Sequence, residues 1–250
     1  MLDNDVIFGK NAVGELLNEG KRSVNKIFIQ QGMKFDPKTR SILEKARNMS
    51  INVQEVPREK LGILTNGGAH QGIAVMVSPI VYTDLEELLN IIEKKEEYSL
   101  VIILDGVEDP HNLGSIIRTS VCAGADGIII PKRRASQVTS TVEKTSAGAV
   151  EKIPITQVTN ITKVIEKLKG KGFWIIGAEG SADTNYFDIK YDMNCALVLG
   201  SENLGISNLV KKNCDFLVKI PMPGKFNSLN VSNAASILIY EIVRQRIQNK

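Results

Sequence analysis

Five strand-like, mostly apolar runs between residues 100 and 221 limit this chain more than any other feature. They are LVIILD (100–105), GIIIP (127–131), FWIIGAE (173–179), ALVLGSE (196–202) and FLVKIP (216–221). None shows the apolar–polar alternation of a strand with one wet face. LVIILD is uninterrupted, as expected of a parallel strand covered on both sides. Helix-like stretches such as LGSIIRTSVCAGA (113–125) and ITKVIEKLKGKG (161–172) separate them. The expectation is therefore an α/β fold with an open, mostly parallel sheet. In such folds the loops at the carboxyl ends of the strands present backbone groups to a ligand.

Residues 6–78 predict a second, smaller α/β unit. A helix-like stretch runs from Asn11 to Asn18 and ends at Gly20. KIFIQ (26–30), INVQEV (51–56) and GIAVMVS (72–78) read as strands. DPKTRSILEKARNM (36–49) reads as a helix with Asp36 as N-cap and Pro37 at its first position. PREKLGIL (57–64) reads as a short helix, and NGGAHQG (66–72) is the longest glycine-rich loop. The helix DLEELLNIIEKKEE (84–97) follows, with Asp84 as N-cap and one stripe of Leu85, Leu88, Leu89 and Ile92. The expected boundaries are 1–78 for the small domain, 79–98 for a linker helix and 99–250 for the large domain.

Composition and motifs exclude several classes. The net charge of +3 is compatible with an RNA or phosphate partner and does not single one out. MLDNDVIFGK carries no apolar segment after a basic start, so no signal peptide is expected. No apolar run approaches the roughly 20 residues of a membrane span. Cys122, Cys195 and Cys214 show no CxxC spacing and read as buried free thiols in a reducing cytoplasm. His70 and His111 are the two histidines, neither near a cysteine, so no metal site is expected. Both read as hydrogen-bonded structural residues. No GxGxxG unit and no GK[ST] loop is present, which counts against a nicotinamide enzyme and a Walker-type NTPase.

Three constellations could carry chemistry. Asn112, Gly114 and Arg118 follow the strand that ends at Asp105, with Asn112 placed to cap the helix. Gly114 and Ser115 lie one turn before Arg118, which leaves room for a phosphate in two-point contact. Gly200, Ser201 and Glu202, with Asn203 to Gly205, form a small-residue turn after a strand, where glycine permits left-handed backbone and close approach. Ser228 to Asn233 are dense in short polar side chains that can cap the last helix and face a ligand. In that helix Ala235, Leu238, Ile239 and Ile242 form the apolar stripe; Asn233, Ser236, Tyr240 and Arg244 form the polar one.

Together these stretches resemble the three motifs of the SpoU (TrmH-like) RNA ribose 2′-O-methyltransferases. DPHNLGSIIRTSVCAGADGIIIP is similar to the first motif, LVLGSENLGIS to the second, and IPMPGKFNSLNVSNAASILIYEIVRQR to the third. FGKNAVGELL through HQGIAV resembles the L30e-like RNA-binding domain of the branch that methylates a guanosine in 23S rRNA. The resemblance implies a trefoil-knotted (SPOUT) parallel-sheet domain after a smaller L30e-like domain. It implies S-adenosylmethionine as methyl donor, RNA as substrate and a homodimer formed through the knotted domains. It places donor contacts at Leu199, Gly200, Ile220, Met222, Ser228 and Leu229. It places the catalytic positions at Asn112, Arg118, Glu202, Ser228 and Asn230. A tRNA-modifying member of the family and a non-catalytic RNA-binding module are the alternatives.

Overall fold

The computed structural model describes residues 5–20 and 22–248. They form two compact units. One runs to Val81 and takes in Val138–Lys152; the other consists of Tyr82–Gln137 and the chain from Ile153 onward.

The first unit begins with β1 (Asp5–Phe8), α1 (Lys10–Glu19), β2 (Val24–Gln30), α2 (Pro37–Asn48), β3 (Val53–Val56), α3 (Arg58–Leu64) and β4 (Ile73–Val77). Its strands form a four-stranded mixed sheet in the order β1-β4-β2-β3, with β2 and β3 parallel. The predicted cap of α2 is present: Asp36 Oδ1 accepts from the Thr39 N–H at 2.9 Å. One core lies between α1, α2 and the sheet, built from residues such as Val13, Leu16, Ile27, Ile42 and Val75. His70 Nδ1 accepts from the Gly72 N–H at 3.0 Å within the glycine-rich loop.

The second unit starts with α4 (Leu85–Glu93), β5 (Leu100–Asp105), α5 (Pro110–Cys122) and β6 (Gly127–Pro131). The chain then returns to the first unit for α6 (Ser140–Thr145) and a 3-10 turn at Ala149–Lys152. It re-enters the second unit with β7 (Ile155–Val158), α7 (Ile161–Gly170), β8 (Trp174–Ala178), β9 (Thr184–Asn185), β10 (Cys195–Gly200), α8 (Asn208–Lys212), β11 (Phe216–Lys219) and α9 (Val231–Gln248). The seven strands pair in parallel throughout, in the order β7-β6-β5-β10-β8-β11-β9. The α/β fold with a parallel sheet follows from the apolar runs. Every residue of β10 is buried, as are the first five of β5. No helix among the described residues is long and apolar enough to cross a membrane.

The units depart from the expected boundaries in two places. The helix expected as a linker is α4, and it belongs to the second unit. Its Leu88, Leu89 and Ile92 are buried in the same core as Val101, Ile129 and Ile165. Its apolar stripe had to be covered, and a free linker would have left it wet. The segment Val138–Lys152, expected within the large domain, belongs to the first unit. It is held there by charge. Buried Arg22 donates to Glu143, lies 3.4 Å from Glu151 and donates from Nε to the Ser78 carbonyl at 2.8 Å. Lys152 pairs with Glu15 at 2.8 Å, and the Lys144 ammonium sits 5.0 Å from the centre of the Phe8 ring.

Two smaller expectations also change. Asp84 stands at the N-cap of α4 and makes no side-chain capping bond. Cys122, expected inside, is exposed, because it falls on the outward side of the last turn of α5. Cys195 is buried and Cys214 half-buried.

Candidate active site

Chain order reverses around β10. β5, β6 and β7 step outward on one side; β8 starts the other side, and β10 inserts between β5 and β8. Ligands of open α/β sheets bind at such a reversal, beyond the carboxyl ends of the strands. The register sets Asp105, the last residue of β5, opposite Gly200, the last of β10. The loops after β5, β8, β10 and β11 therefore gather at one end of the sheet.

Gly200 has to be glycine for a reason internal to the chain. A Cβ there would lie 2.0 Å from the Gly205 carbonyl carbon and 2.2 Å from the Ile206 nitrogen. These are backbone atoms and have no room to give. The close approach allowed at this position is by its own loop, not by a ligand. That loop folds back tightly: Ser201 N–H donates to the Gly205 carbonyl at 3.1 Å and Gly205 N–H to the Ser201 carbonyl at 2.9 Å. Gly205 takes φ +65°, the left-handed backbone that glycine tolerates at least cost. Asp105 Oδ2 accepts from the Ser207 N–H at 2.8 Å and pins the loop to β5.

Helix α5 begins two residues earlier than its predicted cap. Asp109 is the N-cap, with its side chain accepting from the His111 N–H at 2.8 Å, and Pro110 fills the first helical position. Proline suits that position because its missing N–H would have had no partner in the helix. Asn112 is therefore a helical residue, 7% exposed, with its amide free for other work. Its Nδ2 donates to Glu202 Oε1 at 2.5 Å, and its Oδ1 accepts from Asn230 Nδ2 at 2.9 Å. Asn230 Oδ1 in turn accepts from the Ser232 N–H at 2.9 Å and from its hydroxyl at 2.6 Å. Residues from three widely separated segments are joined through one buried amide. The hydrogen bonds also fix the orientation of the Asn112 amide.

Beside this network lies a cleft. Leu199, Gly200, Ile220, Met222, Ser228 and Leu229 all line it, with Glu202 at its edge. The lining combines apolar side chains with the exposed backbone of strand-end loops, which suits a flat, mostly apolar ligand held by a few polar contacts. Val231, Ala234 and Leu238 close it from α9. Ser228 lines the cleft and has no hydrogen-bond partner among the described residues. Arg118 stands apart from both cleft and network. It is exposed on the outer side of α5 and has no hydrogen-bond or ion-pair partner among the described residues. The structure therefore brings Asn112, Glu202 and Asn230 into one network and Ser228 into the adjoining cleft, and leaves Arg118 on the surface.

One acidic wall residue escaped the sequence reading. Glu179 lines the cleft after β8 and pairs with Lys211 at 2.6 Å. Burial would raise its carboxyl, but the Lys211 ammonium and the Ser181 hydroxyl outweigh that and hold it below the ordinary carboxylate value. The signal was present. FWIIGAE ends in a carboxylate at the tip of a buried parallel strand, as ALVLGSE does.

Helix α9 packs against α5, where Thr119 Oγ1 and Ser236 Oγ are 3.3 Å apart. At its far end Arg246 donates to the carbonyls of Tyr98, Ser99, Tyr191 and Met193.

Comparison with known proteins gives a consistent picture. Residues 99–240 match the model of the SpoU rRNA Methylase family, and residues 6–83 match that of the RNA 2′-O ribose methyltransferase substrate-binding domain. A Staphylococcus epidermidis protein named for the TrmH family of tRNA/rRNA methyltransferases is 48% identical over 247 residues, covering 99% of this chain and 98% of its own. The SpoU methyltransferase AviRb of Streptomyces viridochromogenes superposes with a TM-score of 0.83 at 24% identity, covering 99% of this chain and 91% of its own. An AdoMet-bound rRNA methyltransferase of Sinorhizobium meliloti superposes with a TM-score of 0.80 at 25% identity, covering 96% and 87%.

Proposed function

The chain belongs to the SpoU rRNA methylase family of S-adenosylmethionine-dependent RNA methyltransferases, and from that premise we propose that it methylates a ribose 2′-hydroxyl, that of a guanosine in 23S rRNA. The observation that carries the reading is the meeting of Asn112, Glu202 and Asn230 through one buried amide beside the cleft. The match of residues 6–83 to a substrate-binding model of 2′-O ribose methyltransferases supports the position methylated.

The cleft fits S-adenosylmethionine in kind. Leu199, Ile220, Met222 and Leu229 offer apolar walls for a purine, and strand-end backbone offers donors and acceptors for its edge. Glu179 and Glu202 supply negative charge along the same cleft, which favours a cationic sulfonium. When bound, the donor contributes a methyl group already activated by that positive charge.

The residues then have two tasks, alignment and handling one poorly acidic proton. Glu202 holds the Asn112 amide, and Asn112 holds Asn230, so the loop before α9 is set before substrate arrives. Ser228 is the hydroxyl of that loop that faces the cleft. Arg118 keeps its proton, because a guanidinium has a pKa above about 12. Its role is to hold the phosphate beside the target ribose and polarise the hydroxyl. The chain acts as a homodimer whose interface includes the face where Ile237 and Tyr240 of α9 are exposed. The segment after β11 threads through a loop to give a trefoil knot, and the protein works in the cytoplasm. Mapping 2′-O-methylation in rRNA and tRNA from cells with and without the protein tests the reading. Loss at one 23S guanosine is expected. Loss confined to tRNA moves the target, and no loss together with no transfer in vitro overturns the assignment.

A further inference from the structure

The loop from Ser201 to Gly205 has a second side. There it borders another, larger cleft of about 520 Å³, closed by the end of β5, the segment after β6 and the first turn of α7. Arg133 and Arg134 line this cleft. Both are exposed, and neither has a hydrogen-bond or ion-pair partner among the described residues. The segment that carries them is a formed turn. Ser136 N–H donates to the Val107 carbonyl at 2.8 Å, and Gln137 Nε2 donates to the Pro131 carbonyl at 3.1 Å. Arg134 itself takes φ +56°, a conformation uncommon outside glycine. Backbone held in such a state by its surroundings is a pointer to function.

Three carboxylates also line the cleft, and two of them are occupied. Asp105 accepts from the Ser207 N–H and Glu202 from Asn112. Glu108 is the third and is exposed. The two guanidinium groups are thus the uncommitted cations of the wall. The first turn of α7 faces the same space through Ile161 and Thr162, and a helix start favours an anion.

We propose that this cleft is a subsite for a backbone phosphate of the RNA strand, held by Arg133 and Arg134 across the Ser201–Gly205 loop from the methyl donor. The proposal rests on the methyl-transfer reading above and adds where the substrate strand runs. Arginine suits the task because its planar fork meets two phosphate oxygens at once. An open cleft with exposed arginines also suits a strand that must continue out of it at both ends, more than a small enclosed ligand. At Gln137 the same segment runs directly into Val138–Lys152, which belongs to the unit that matches a substrate-binding domain.

The test is the double variant Arg133→Gln/Arg134→Asn. Asparagine tolerates left-handed backbone, so the turn is preserved while both charges go. Binding of fluorescein-labelled polyuridylate is followed by anisotropy over a range of sodium chloride. Losing the one phosphate contact should lower the slope of log K against log salt by about 0.7, the single-strand value for one phosphate, and Arg133→Gln alone should lower it by less. Methylation of total RNA from cells lacking the protein should show KM for RNA raised at least about 10-fold with kcat held within about 2-fold. Affinity for S-adenosylhomocysteine should not change, and Arg133→Lys/Arg134→Lys should keep the salt slope. An unchanged slope overturns the subsite whether or not the enzyme methylates RNA. A slope that falls in a protein transferring no methyl group keeps the subsite and removes the methyl-transfer reading.

Discussion

In the first unit Arg22 is buried against Glu143 and Glu151, and its Nε and Nη2 donate to the Ser78 carbonyl. In the second, the Asn112 amide is buried between Glu202 and Asn230, both of which are otherwise exposed. Each constellation joins parts of the chain far apart in sequence. The first is made of full charges sealed from water, and each depends on its partner being there. The second is centred on a neutral amide and opens at both ends beside a cleft. Sealed charges make a staple, because removing one strands another. A neutral bridge with wet ends can position groups for a ligand at little cost to the fold.

The contrast can be broken by substitution. Arg22→Ala should have the largest effect. It takes a buried cation away from Glu143 and Glu151, and a loss of about 3–5 kcal/mol is expected in chemical denaturation. Arg22→Met with Glu143→Gln and Glu151→Gln should recover most of it. A shift below about 1 kcal/mol for Arg22→Ala would sink the idea of a staple. Next comes Arg118→Ala, which should lower turnover at least about 100-fold while the denaturation midpoint and S-adenosylhomocysteine binding stay near wild type. Near wild-type turnover would remove Arg118 from the chemistry.

Glu202→Gln keeps an acceptor for Asn112 and removes the charge. A fall in turnover of about 10-fold is expected, with stability changed by less than about 0.5 kcal/mol. If stability falls as far as in Arg22→Ala, the two constellations are alike and the contrast fails. The smallest effect belongs to the thiols. Burial pushes Cys195 and Cys214 up to about 11 from the ordinary 9.0, so both stay protonated in the folded chain where an unfolded thiol would ionise. Their contribution to stability is full below about pH 9 and is lost as pH rises through about 11. The thermal midpoint should fall across that window, and less so in Cys195→Ala/Cys214→Ala. Near pH 8, iodoacetamide should label the exposed Cys122 and spare the other two.

Much of this was legible in the residues. Strands buried on both faces carry long apolar runs, so the parallel sheet could be read from β5 and β10 directly. The six residues that the family resemblance places around the donor line one cleft, at the carboxyl edge of the sheet where ligands of such folds bind. Asn112 was misread as a cap because asparagine suits that role and Asp109, three residues earlier, suits it too. The Asp109-Pro110 pair decides the matter, since proline sits best at the first helical position. Strand order was not legible: no local pattern says that β10 inserts between β5 and β8. The membership of Val138–Lys152 was hidden for a related reason. Its anchor is a long-range charge pairing, and glutamates in a Ser/Thr-rich stretch ordinarily read as solvated.

The excursion of Val138–Lys152 has a consequence for synthesis and for dissection of the protein. Arg22 and Ser78 are made early, but Glu143 and Glu151 leave the ribosome only after β5, α5 and β6. The first unit therefore cannot reach its final form as a nascent N-terminal domain. A fragment ending near residue 81 lacks the two buried glutamates that Arg22 meets in the whole chain. Exchanging residues 1–78 with those of a relative would leave the host's Glu143 and Glu151 facing a foreign partner. A clean exchange of RNA choice between relatives must move two pieces of chain, the second of them cut from between two strands of the other unit's sheet.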